Sequence, residues 1–244
     1  MSEISTQVQT ALSGLTREFD LIANNLANVS TPGFKRQYND FSKSLIEQQG
    51  ILQKQSDKQL NARTVVDFSQ GSFNQTGRSL DLALCGKGFF VIETPNGPLY
   101  TRNGSFRLNE NSQIVDLAGR IVGGQSGAIT IPQDVDISLI SVGNDGTVSA
   151  GGVSLGQLQL VDFQDDQTKL IPAGMNCFKA PENVEPQTAQ NLIVKQGFQE
   201  GSNVQMMEEL VDMIMVTRLY EANVKSITKS GETTKQLLDV AMSG

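Results

Sequence analysis

Over the first thirty or so residues, apolar side chains return every seven positions at Val8, Leu15, Ile22 and Val29, and again at Leu12, Phe19 and Leu26 between them. Spacings that alternate between four and three make the seam of a coiled coil, narrower than the stripe of a helix on a globular core. Thr31-Pro32-Gly33 closes the pattern, because proline cannot continue a helix and holds its predecessor extended. The pattern predicts a helix over residues 3–28, about 39 Å long. The last forty or so residues carry a second seam. Met206, Met213, Tyr220 and Ile227 share one heptad position, continued by Thr234 and Ala241; Leu210, Val224 and Leu238 share the other, weakened at Thr217 and Gly231. Ser202 followed by Gln205 reads as a capping box, which predicts a helix start near residue 203 and a length of about 58 Å, with Gly231 as a point of interruption. Neither helix can bury its seam alone, so each needs the other end of the chain or a neighbouring molecule.

Between the two ends the pattern changes in kind. From Gly71 to Gly197 glycine is frequent, and short apolar runs lie between turn signals, as in an all-β domain. Leu80, Leu82 and Leu84 alternate with Asp81 and Ala83, while Phe89–Ile92 and Leu158–Phe163 read as strands. Asn103-Gly104, between Tyr100-Thr101 and Phe106, predicts a hairpin with a type I′ turn, and Asp145-Gly146 before Thr147-Val148 predicts another. A small barrel or sandwich of many short strands is expected. Residues 36–70, rich in Gln, Ser and Lys, read as an extended connector with a helical piece over Asp40–Gln49. The expected fold class is mixed α and β: a coiled-coil-like layer of terminal helices (1–35 and 200–244), a connector (36–75) and a β domain (76–199).

Composition narrows the chemistry. The 244 residues are 38% hydrophobic and 6% aromatic with no Trp, thin for one large core. A net charge of -7 without any basic stripe argues against nucleic acid as a partner. With no histidine, the commonest general base and metal ligand are missing. Gly86-Lys87-Gly88 lacks the spacing of a phosphate loop and leads into a strand, so it reads as a turn. Asp165-Asp166 in a polar loop and Glu208-Glu209 on a helix read as solvated surface. No residue is assigned a catalytic, cofactor-binding or metal-binding role, and no cofactor is expected. Cys85 and Cys177 read as free buried thiols or as one disulfide, since two lone cysteines specify no framework. The N-terminus lacks the basic and apolar regions of a Sec signal, and no run approaches the roughly 18 apolar residues of a membrane span, so no membrane insertion is expected.

Four blocks, in order, carry a resemblance. Ile22-Ala23-Asn24-Asn25-Leu26-Ala27-Asn28-Val29-Ser30-Thr31-Pro32-Gly33-Phe34-Lys35 resembles the N-terminal signature of flagellar rod and hook proteins. Leu80–Leu84 with Gly86–Phe90, then Tyr100–Phe106, are similar to the opening of that family's β domain. Glu200–Val204, Glu208–Ile214 and Arg218–Asn223 are similar to its C-terminal signature. The resemblance implies an axial structural subunit of the flagellar basal body, in the rod spanning the periplasm. Its implied partners are copies of itself, other axial proteins and the flagellar type III export apparatus, through which it would leave the cell without a cleaved signal. Glu200–Val204, with Gly201 where a bulkier residue would suit the distal-rod branch, resembles the proximal-rod branch more; a distal-rod or hook-related member is the alternative. Outside the family, a ligand-binding β module with dimerising helices is the alternative. Asn24, Asn25 and Asn28 lie off the seam, either as a solvated flank or as register pins between helices, and the resemblance favours the second. The expected assembly interface is therefore Val8, Leu12, Leu15, Phe19, Ile22, Asn24, Asn25, Leu26, Asn28, Val29, Met206, Leu210, Met213, Tyr220, Val224, Ile227 and Leu238.

Overall fold

The computed structural model describes residues 2–39 and 64–242, with side chains over 9–39, 64–164 and 167–229. The N-terminal heptad stretch forms one unbroken helix, α1 (Ser2–Ala27), and the C-terminal stretch forms α2 (Met206–Met242), about 55 Å long. Gly231 stays helical; its cost of about 1 kcal/mol is too small to break a 37-residue helix. The start of α2 differs from expectation. Residues 201–204 are held by other partners: Gly201 N–H donates to Ser72 O at 2.7 Å, and Asn203 bonds Asp67 O and Ser69 Oγ. Ser202 Oγ accepts from Val204 N–H instead of capping, and the helix begins only at Met206.

The described chain divides into two compact units. One comprises residues 1–27, 37–65 and 205–244, and the other residues 28–36 and 66–204. Residues 28–36 and 200–204, grouped with the helices on sequence grounds, thus belong to the β unit because their hydrogen bonds are made there. The helical piece expected over Asp40–Gln49 lies outside the described residues.

The β unit is organised around the strand Phe89–Glu93. It pairs antiparallel with Leu99–Thr101, with Ile121–Val122 and with Leu160–Asp162. Its alternation explains its unbroken apolar run. Phe90 and Ile92 enter one buried cluster, with Leu82, Leu84, Phe106, Ile114 and Val122. Phe89 and Val91 enter another, with Tyr100, Phe163, Leu170 and Phe178. A strand covered on both faces has no polar side to show. Leu82–Cys85 is likewise buried on both faces and pairs with Ile193–Gln196.

Asp145-Gly146 does turn a hairpin, joining Ile140–Val142 to Thr147–Ala150 with Val142 opposite Val148; Gly146 takes φ +84°. The Asn103-Gly104 hairpin does not form. Gly104 has no positive φ, and the residues after it pair with the segment before Leu82–Cys85: Leu82 N–H donates to Gly104 O and Phe106 N–H to Leu80 O. Glycine is needed there for proximity, since a Cβ would strike Leu82 O. Gly104→Ala should cost about 3 kcal/mol by forcing this pair apart, whereas Gly97→Ala, at φ +102° in open space, should cost about 1 kcal/mol. Urea denaturation of both variants distinguishes the cases; equal losses would rule out the steric account.

Candidate assembly surface

Within the helical unit α1 and α2 lie against each other. Leu15, Thr16 and Phe19 of α1 face Val216, Thr217 and Tyr220 of α2 across a groove of about 280 Å³. The expected interface residues separate into groups. Ile22 and Asn25 are buried, and Leu12, Leu15, Leu26 and Met213 are half-buried. Phe19, Asn24, Met206, Leu210, Tyr220, Val224 and Ile227 are exposed. Asn28 and Val29 are half-buried and belong to the β unit. Side chains of Val8 and Leu238 lie outside those described.

Beyond the heptad seam α2 carries a second apolar row. Met207, Val211, Met215 and Leu219 follow one another at intervals of four, exposed by 72, 53, 57 and 52%, with Ile214 beside them at 54%. The signal was present as doublets, Met206-Met207 and Leu210-Val211, and as the run Met213–Val216. A single heptad count assigns one member of each doublet and overlooks the other. A helix apolar on two sides is buried in its working state, and large exposed apolar patches mark interaction sites.

The polar groups sort differently from their sequence reading. Of the acidic pair in the first turn of α2, Glu208 is exposed but Glu209 is fully buried, contrary to the expectation of two solvated carboxylates. Asn25 reaches it from α1, its Nδ2 donating to Glu209 Oε2 at 3.1 Å. The same amide clasps the backbone of Gln37: Nδ2 donates to Gln37 O at 2.8 Å, and Oδ1 accepts from Gln37 N–H at 2.9 Å. Asn25 therefore pins α1 both to α2 and to the strand Gln37–Asn39. Asn25→Ala breaks the bond to the buried Glu209 carboxylate and both bonds to the Gln37 backbone, for an expected loss of roughly 3 kcal/mol. Hydrogen exchange checks it: the Gln37 amide should lose protection by at least tenfold.

Gly86-Lys87-Gly88 is a turn with Lys87 exposed, leading into Phe89–Glu93. Both cysteines are free thiols: Cys85 is half-buried, and Cys177 is buried and accepts from Arg120 Nη2 at 3.1 Å. Burial pushes the Cys177 thiol above the usual range, Arg120 opposing. No described helix is long and apolar enough to cross a membrane.

Comparison with known proteins agrees with this layout. Residues 8–35 match a model for flagella basal body rod proteins, residues 83–150 the D1 domain of the flagellar hook protein FlgE/F/G family, and residues 195–240 the C-terminal region of flagellar basal body rod FlgEFG proteins. The flagellar basal-body rod protein FlgF of Caulobacter vibrioides is 33% identical over 92% of each chain. The rod protein FlgG of Buchnera aphidicola subsp. Schizaphis graminum is 34% identical over 94% of this chain and 96% of its own. FlgG of Bacillus subtilis is 32% identical over 95% and 96%. The chain belongs to the flagellar basal-body rod protein family.

The matched stretches of this rod protein fall on the features built above. The first ends at Lys35, just past the turn that terminates α1. The second begins in the strand Leu82–Cys85 and contains the central strand. The third carries both apolar rows of α2.

Proposed function

We propose that this chain is an axial structural subunit of the bacterial flagellar basal-body rod, built into that assembly through α1 and α2. The observation that carries the reading is the second apolar row of α2, Met207, Val211, Met215 and Leu219, exposed in the single chain. Rows of this kind need facing helices, and further copies or other axial subunits supply them. The interface comprises the exposed seam residues of both helices together with this row. The role is mechanical and needs no reaction. Family membership also supports passage through the flagellar type III export apparatus to a rod in the periplasm, without a cleaved signal.

Within the family the reading is the proximal-rod type, of which FlgF is the named example, rather than the distal type. The relatives carry both names at nearly equal identity, so support comes from Gly201. Its backbone lies on Ser72, and a Cβ there would approach Ser72 Oγ to 2.9 Å. A side chain at 201 must at least displace the Ser72 hydroxyl.

Deletion of the coding sequence from its own host tests the function. Non-motile cells whose basal bodies lack a complete rod and filament, restored by the wild-type chain, are expected. Motile deletion cells with normal filaments would exclude a rod role.

A further inference from the structure

The β unit holds a cluster of deeply buried charges. Lys35 and Glu200 have fully buried side chains, and Lys35 Nζ donates to Glu200 Oε1 at 2.7 Å and to Ser69 O at 2.6 Å. A second cation, Arg102, is 2% exposed, its Nη1 3.6 Å from Glu200 Oε2. Gly71 N–H donates to the same Glu200 Oε1, and Gly33 N–H to the backbone oxygen of Glu200. Burial drives both cations below their usual pKa, Glu200 opposing in each case. The site thus holds two cations around one carboxylate, 165 residues from Lys35 in the chain.

Three stretches meet at this point: 28–36, which leaves α1; 66–71; and 198–204, which leads to α2. Phe198–Glu200 is itself set in place by pairing with Phe73–Gln75. Asn203 adds a second tie, accepting from Arg36 N–H at 2.7 Å and donating to Asp67 O. Burying an ammonium group without a counter-ion costs several kcal/mol even after relaxation. Lys35 beside Arg102 alone would place two like charges together in a buried site.

We propose that Glu200 is an interlock: the stretch 28–36 docks on the β unit only once 198–204 has taken its place, because Glu200 supplies the negative charge that lets Lys35 be buried. The N-terminal end of the β unit thereby reports on the pairing of its C-terminal end. The interlock rests on this geometry alone; its use in withholding an incomplete subunit from assembly rests on the rod reading.

Trypsin cleavage after Arg36 in the full-length monomer, followed by mass spectrometry, tests it. Glu200→Gln takes the nearest counter-charge from two buried cations, leaving only the more weakly acting Asp67 and Asp162, and should be cut at least tenfold faster than wild type. Lys35→Met leaves Glu200 with Arg102 and should stay within threefold of wild type. The decisive variant is the double Lys35→Met/Glu200→Gln, which restores the net charge of the cluster and should be cut more slowly than Glu200→Gln alone. Wild-type protection in Glu200→Gln, or a double variant as labile as the single, would overturn the proposal. If Glu200→Gln is insoluble, a soluble and protected double variant supports it, and an insoluble one overturns it. Because the assay uses monomer, its failure is distinct from a failure of the rod reading, which the deletion strain measures.

Discussion

Met215→Glu and, separately, Leu219→Glu should abolish swimming while leaving the monomer nearly as stable as wild type. Both side chains are more than half exposed in the single chain, so a polar replacement changes monomer stability by only about 0.5 kcal/mol. In the assembled helical layer each carboxylate would be buried without a partner, at a cost of several kcal/mol. Since about 1.4 kcal/mol is tenfold in an equilibrium constant, incorporation should fall by more than a hundredfold. Glu221→Gln, exposed on the same helix and polar before and after, is the control and should swim normally. Soft-agar motility, paired with thermal unfolding of purified monomer, separates the two effects. Normal swimming by both variants would remove the second apolar row from the interface.

The largest loss of stability is expected from Phe89→Ala. Phe89 is fully buried and stands edge-to-face with Phe68 at 5.3 Å and with Phe163 at 5.8 Å between ring centroids. The Arg102 guanidinium lies over its ring at 5.2 Å. Truncation removes the burial, leaves a cavity and takes the ring from beneath a buried cation, so a loss near 5 kcal/mol is expected, at the top of the usual range. Phe73→Ala, at a half-buried ring capped by Lys195, should cost roughly 1–2 kcal/mol. Urea unfolding gives both numbers. A loss below about 2 kcal/mol at Phe89 would mean that the strand does not divide two cores as described.

What the chain reveals before folding follows from the range of the interactions involved. The two helices are legible because heptad spacing is local, and Phe89–Ile92 because an unbroken apolar run needs cover on both faces. Which partner covers an apolar residue is not local. Ile22 is covered within the chain and Tyr220 is not, although both sit on heptad seams. Glu209 looks like half of a solvated pair until Asn25, 184 residues away, is brought to it. Lys35 and Glu200 each stand inside a recognisable motif, yet neither motif shows that the other charge completes it. Asn103-Gly104 fails as a hairpin because the close approach of Leu82 O, set by long-range pairing, decides what that glycine is for.

Cryo-EM of basal bodies purified from the host, with this chain traced in the rod density, is the most direct test of the central claim. The account predicts that Met207, Val211, Met215 and Leu219 of each copy are buried against helices of neighbouring subunits. A rod in which that row faces solvent, with subunits joined through their β units alone, would contradict it.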